Sequence, residues 1–211
     1  MARLYYPATY APQQTLSVTA KQYHHVTRVR KLKIGDSLTL FNNQQQVAQT
    51  IISSCDHQQL TLIVQTITTE QWKPKIHIHL GQIIARPQVM DWMIEKATEL
   101  GVSSYTPLLD QHTPKSYCNK HRHWQEKIIH ACQQSGRNHL MQCNEPLSIE
   151  NWLAQTTEKN RIALQPGGKY SLKEITTSPK DLALLVGAEA GFSPKSLALA
   201  IQHNFSLMGL G

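Results

Sequence analysis

The run Leu184-Leu185-Val186-Gly187-Ala188-Glu189-Ala190-Gly191-Phe192-Ser193-Pro194 carries three signals in eleven residues. Leu184–Val186 is an apolar strand end. Gly187–Gly191 is a loop of small residues. Ser193 and Pro194 are an N-cap and a first helical residue, the favoured way to start a helix. A strand, a tight loop and a capped helix together form one βα step. In open α/β sheets ligands bind beyond the carboxyl ends of strands, and small residues let backbone N–H groups come close to a ligand. The loop is neither a GxGxxG fingerprint nor a Walker loop, and an ordinary βα turn would use the same residue types.

The same alternation extends back to residue 76. Ile76–Ile84 reads as a strand. Val89–Leu100 reads as a helix, with Met90, Met93, Ile94 and Ala97 at i, i+3, i+4 and i+7 and Gly101 at C′. Ser104–Leu109 is a strand. His121–Ser135 is a helix with Trp124, Ile128, Ala131, Cys132 and Ser135 on one face, closed by Gly136. Arg161–Leu164 and Leu182–Val186 are short buried strands. Strand–helix alternation of this kind predicts a mostly parallel sheet covered by helices.

The first third is different. Ser37–Phe41, Val47–Ile52 and Leu60–Ile67 are short strands separated by turn signals at Gly35-Asp36 and Asn42-Asn43, and Tyr23–Arg30 is a short helix. In Ser37–Phe41, Leu38 and Leu40 are expected to point inward with polar residues outward. This spacing suggests a small barrel. Thr68–Pro74 is polar and ends in proline, so the chain divides into domains of residues 1–72 and 73–211.

Composition narrows the function. The chain has 211 residues, 40% hydrophobic and 17% charged, which is globular. Its formal charge is +7, which suits a polyanionic partner but does not require one. Positive charge is denser at the N-terminus, where residues 1–73 hold 7 Lys/Arg against 3 Asp/Glu. Arg28, Arg30, Lys31 and Lys33 supply most of it. No apolar run is long enough for a membrane span and no secretory pattern opens the chain, so a cytoplasmic protein with reduced thiols is expected. Cys118 and His121 have a CxxH spacing without a second half-site, so no metal is expected.

Four segments together resemble one family. Gly187–Pro194 resembles a GPEGGFSP loop. Asp91–Val102 is similar to a helix ending in QKATELGV, Ala131–Asn138 to AxEQSGRN, and His24–Asp36 to HHxxRVLRLKxGD. These motifs, in this order, are those of the RsmE-type 16S rRNA (uridine N3) methyltransferases of the SPOUT class. The resemblance implies an N-terminal PUA-like β-barrel that helps bind RNA and a C-terminal SPOUT-like α/β domain, a deep trefoil knot that binds S-adenosylmethionine (SAM). It implies a homodimer acting on 16S rRNA or the 30S subunit. The cofactor positions it carries over are Leu164, Gln165, Pro166, Gly187, Glu189, Gly191, Leu210 and Gly211. The RNA-contact positions are Arg28, Arg30, Lys31, Lys33 and Arg137.

The sequence departs from the pattern in places. Ala188 and Ala190 stand for a Pro and a Gly, and an Ala placed at a positive φ would be strained. Gln111-His112 stands for Glu-Arg, and Gln133 for Glu. The residues given stop at Leu210-Gly211, before the family's arginine-bearing, knot-closing segment.

Methylating a uridine N3 requires that its proton leave and that the charge spreading onto O2 and O4 be met by donors. Arg137 and Asn138 are the catalytic candidates, as donors or orienters. The alternative function is a catalytically inactive RNA-binding or ribosome-assembly protein on the same scaffold.

Overall fold

A computed structural model describes residues 2–56, 58–71, 73–171 and 180–209. The chain forms two compact units. One comprises Met1–Lys73 with Cys132–Leu140, the other Pro74–Ala131 with Met141–Gly211. The first body is therefore not one continuous N-terminal segment, because residues 132–140 pack with it.

The first unit is a curled five-stranded sheet. Its strands are β1 (Arg3–Tyr5), β2 (Thr15–Thr19), β3 (Ser37–Phe41), β4 (Gln46–Cys55) and β5 (Gln59–Thr69), in the order β1-β3-β4-β5-β2. β1 runs parallel to β3 and the remaining pairs are antiparallel. Register shifts in the β4–β5 pair, at Gln49/Thr50 and Ile52/Ser54, mark the bulges that bend these long strands. The curl encloses a core of Leu4, Leu16, Val18, Leu38, Leu40, Ile52, Leu60, Leu62 and Val64. The expected alternation in β3 is only partly present. Thr39 is buried as well and donates its hydroxyl to Gln49 Oε1, so both faces of this strand are covered.

Between β2 and β3 lies α1 (Ala20–His24), followed by a π-helical turn over His25–Val29. The sequence predicts one helix over 23–30. It starts earlier and loosens at its end, where Lys31 has φ 55°.

The second unit is an eight-stranded parallel sheet. Its strands are β6 (His77–Ile83), β7 (Ser104–Leu109), β8 (Gln142–Cys143), β9 (Leu147–Ser148), β10 (Arg161–Leu164), β11 (Tyr170–Ser171), β12 (Asp181–Val186) and β13 (Ser206–Gly209). The order is β11-β13-β10-β12-β6-β7-β8, with β9 also on β7, and every pair is parallel. The helices are α2 (Pro87–Glu99), α3 (His121–Ser135), α4 (Ile149–Gln155) and α5 (Pro194–Gln202).

Helix ends follow the sequence signals. Gly101, at φ 90°, closes α2 in a Schellman pattern: its N–H donates to Thr98 O and that of Val102 to Ala97 O. Ser193 caps α5 by accepting from Ser196 N–H. On α3, Trp124, Ile128, Ala131 and Cys132 are buried as predicted, but Ser135 is exposed.

The core between sheet and helices includes Ile83, Leu108, Trp152, Leu153, Ala163, Leu185, Ala200 and Phe205. Trp152 of α4 lies flat on Gly81 of β6, where an added Cβ would sit 2.8 Å from its ring. Among the described residues no helix is long and apolar enough to cross a membrane.

Candidate cofactor site

The first strand of the second unit, β6, lies mid-sheet. β7 is on one side of it and β12, which comes last but one in sequence, on the other. Strand order reverses here, which is where open α/β sheets leave a crevice. Two turns stand at the carboxyl ends of the neighbouring strands β10 and β12.

The first turn follows β10. Gly168 N–H donates to Gln165 O at 2.9 Å, Pro166 is at i+1 and Gly167 at i+2 has φ 71°. This is the residue pattern of a type II turn. The turn bridges from β10 to β11, and β13 is inserted between those two strands. It therefore crosses the end of β13 at very close range: a Cβ on Gly168 would lie 2.5 Å from Gly209 N and from Met208 C. Gln165 N–H donates to Met208 O at 2.9 Å, tying the crossing down. A strand slotted between two earlier consecutive ones, with the loop that joins them crossing its end, departs from the usual connections in which sequential strands lie side by side.

The second turn follows β12. Gly191 N–H donates to Ala188 O at 2.8 Å, and a Cβ on Gly187 would sit 2.7 Å from Gly191 C. Gly191 takes the positive φ, 83°. Ala190 is not among the positive-φ residues, so the strain expected there does not arise. Glu189 reaches back to the start of α2. Its Oε1 accepts from Arg86 Nε at 2.7 Å and from Arg86 N–H at 3.2 Å. The Arg86 hydrogen bond, ahead of backbone bonds, holds the Glu189 carboxyl below its usual range.

Residues 72–211 match the family model described as the RNA methyltransferase domain, and residues 18–65 match the RNA methyltransferase PUA domain. The chain belongs to the RNA methyltransferase family. One relative is the ribosomal RNA small subunit methyltransferase E of Buchnera aphidicola from Schizaphis graminum. It is 28% identical over 209 residues, covering 94% of this chain and 83% of its own length. Among solved structures, a Legionella pneumophila protein named as a methyltransferase, in complex with bound SAM, superposes with a TM-score of 0.92. It is 28% identical, and the match covers 100% of this chain and 89% of that one. The small subunit methyltransferase E of Neisseria gonorrhoeae, bound to SAM, has a TM-score of 0.90 over 100% of this chain and 89% of its own, and at 22% identity it shows the shared fold.

The expected cofactor residues of this RNA methyltransferase fall on the two turns. Leu164, Gln165 and Pro166 lie at the end of β10 and in its turn, and Gly187, Glu189 and Gly191 on the other. Leu210 and Gly211 lie outside the described residues. A side chain at Gly187 or Gly168 has no room, because the chain's own backbone at Gly191 and at Met208-Gly209 closes on them, so both turns are held tight. Gln165 Oε1 is also buried without a hydrogen-bond partner among the described residues.

The remaining candidates belong to the first unit. Arg28, Arg30, Lys31 and Lys33 are all exposed, on and just after the π-helical turn that buried Val26 anchors. A bond from Lys33 N–H to Asp36 Oδ2 at 2.7 Å braces the loop. Arg137 and Asn138 follow α3, which Gly136 ends at φ 83°. Asn138 is engaged at both ends of its amide. Its Oδ1 accepts from Arg3 Nη2 and its Nδ2 donates to Glu70 Oε2. Leu140 N–H donates to Asn43 Oδ1 at 2.8 Å. These bonds attach the 136–140 loop to the first sheet. Arg137 is half-buried, and desolvation lowers its pKa from the ordinary arginine value.

Sequence reasoning missed Arg3, Glu70, Gln82 and Arg86. Only Gln82 left a local signal, as the lone amide in the apolar run from Leu80 to Ile84. Among the described residues no group of three or more His, Cys, Asp or Glu could hold a metal ion.

Proposed function

We propose that this chain methylates small-subunit ribosomal RNA with SAM as methyl donor, and that the position modified is N3 of a uridine. The observation that carries the reading is the pair of glycine-tight turns at neighbouring strand ends in a chain of the RNA methyltransferase family. Relatives named as ribosomal RNA small subunit methyltransferase E support the substrate. Uridine N3 rests on the resemblance of the four motifs.

SAM supplies an activated methyl group on a sulfonium. The protein residues have three tasks. Leu164, Gln165, Pro166, Gly187, Glu189 and Gly191 would hold the cofactor, largely through backbone groups. Arg28, Arg30, Lys31 and Lys33 neutralise RNA phosphates and position the strand. Arg137 donates to the uracil oxygens on which charge develops as the N3 proton leaves. An arginine side chain is not deprotonated in proteins, so it stays a cation. Asn138 presents that arginine by fixing the loop to Arg3 and Glu70, which uses its amide for anchoring rather than for substrate.

The proposal places the protein in the cytoplasm as a homodimer acting on the 30S subunit. The test is transfer of labelled methyl from SAM to small subunits lacking this modification, followed by nucleoside analysis. 3-Methyluridine is expected. RNA binding without transfer would instead support the inactive scaffold protein, and label in another nucleoside would refute the N3 assignment.

A further inference from the structure

Gln82 sits on β6 opposite Val186, the last residue of β12, in a buried run otherwise apolar at Leu80, Ile83 and Ile84. It is 2% exposed. Its Nε2 donates to Ile83 O at 2.9 Å and to Gly187 O at 2.7 Å, a residue 105 positions away. Both partners are carbonyl oxygens, so the amide nitrogen must face them and its orientation is chemically fixed. Its Oε1 is left buried without a hydrogen-bond partner among the described residues. A buried orphan acceptor is unfavourable. A leucine would fill this apolar setting without that penalty, so packing alone does not account for an amide here. What the amide adds is its hold on Gly187.

Gly187 lies just past the β12 ladder, where the parallel sheet no longer fixes the backbone. The peptide joining Gly187 to Ala188 is planar, so anchoring the Gly187 carbonyl also orients the Ala188 N–H. Ala188 pairs with Gly191 in an isolated bridge, and that pairing shapes the turn. We propose that Gln82 is a positioning residue for the cofactor: by holding the Gly187 carbonyl it sets the Gly187–Gly191 turn in the form that accepts SAM. The inference rests on the assignment of that turn to SAM.

The test compares wild type, Gln82→Leu and Gln82→Glu in three measurements: thermal midpoint, amide exchange at Gly191 without cofactor, and calorimetric titration of SAM from pH 6 to 9. Gln82→Leu is expected to fold, to exchange faster at Gly191, and to bind SAM about tenfold more weakly, ~1.4 kcal/mol. Gln82→Glu puts a carboxyl in a buried site facing two carbonyl oxygens, which raises its pKa. Protonated, it donates one bond and keeps the turn. Ionised, it repels both carbonyls. Its SAM affinity is therefore expected to fall as pH rises, more steeply than that of wild type, which a purely structural side chain would not cause.

If wild type binds SAM and both variants bind within about twofold of it at every pH, the positioning role is overturned while the cofactor site stands. If wild type binds no SAM, the site assignment fails. Exchange at Gly191 then decides the role of Gln82, because an unchanged rate in both variants overturns it. Should Gln82→Leu not fold, Gln82→Glu carries the same comparison alone.

Discussion

Gly187→Ala is the sharpest perturbation of the proposed cofactor turn. The new Cβ would lie 2.7 Å from Gly191 C, 2.9 Å from its O and 3.0 Å from its Cα. Carbon atoms in ordinary contact stand ~3.5–4.0 Å apart, so the two sides of the turn must separate by roughly 0.8–1.3 Å. The obstacle is backbone, held by the Gly191-to-Ala188 hydrogen bond and by Gln82, and it has no flexible end to move aside. Gly187 is not among the positive-φ glycines, so the effect is steric rather than conformational. Overpacking of this kind costs about 1–3 kcal/mol. If that strain is relieved by opening the turn, SAM affinity falls by a factor of roughly 5–150, measured by calorimetry and set against urea unfolding to separate binding from stability. Ala190→Gly is the control. Ala190 needs no positive φ, so this change should not improve binding, and greater flexibility should lower stability by ~0.4–1 kcal/mol. A Gly187→Ala protein with wild-type affinity and stability would refute both the tightness of the turn and its role as the cofactor cradle.

Three other outcomes are expected. Asn138→Ala removes the bonds to Arg3 and Glu70 and should lower stability by about 1–3 kcal/mol. In a transfer assay it should raise KM for RNA while SAM affinity holds, and a loss of SAM binding would contradict the anchoring role. Replacing Arg28, Arg30, Lys31 and Lys33 together by Ala should weaken RNA binding and flatten its salt dependence by roughly 0.7–0.9 in log–log slope for each lost phosphate contact; an unchanged slope would remove this surface from the RNA path. Glu189 has a lowered carboxyl pKa because of Arg86, so its contribution to stability is present above the usual carboxylate range and is lost as pH falls through its own lower value. The difference in Tm between wild type and Glu189→Gln should therefore be seen at neutral pH and vanish once pH falls below that lowered value. A difference that persists there would show that the Arg86 pair is not its source.

Much of the fold was legible because its signals are local. The Gly101 and Gly136 stops, the Ser193-Pro194 start and the runs Arg161–Leu164 and Ser104–Leu109 are each specified within a few residues, and the structure places them as read. β1, β2 and β13 were not identified, because they exist through partners far along the chain, β3, β5 and β10. The insertion of β13 between β10 and β11 has no signature in periodicity at all. Its only local trace is the need for glycine at 168, where the backbone crossing leaves no space.

The site divides the same way. The Gly187–Gly191 loop could be found from its small residues, whereas the turn after β10 entered only through Leu164, Gln165 and Pro166, which the motif resemblance carried over. Gln82, Arg86, Arg3 and Glu70 act on partners 68 to 135 residues away, which no short window contains. Asn138 was visible, but whether its amide faced substrate or the chain's own side chains depended on Arg3 and Glu70. The positive φ feared at Ala190 falls one residue later, at Gly191, a shift that only the path of the turn determines.

The central claim is that SAM binds across the turns after β10 and β12. The most direct measurement is calorimetric titration of SAM into the protein, followed by amide exchange of the complex. Binding near one site per chain, with protection concentrated in residues 165–168 and 187–192, is the result the account predicts. No binding at millimolar SAM, or protection elsewhere with these turns unchanged, would contradict it.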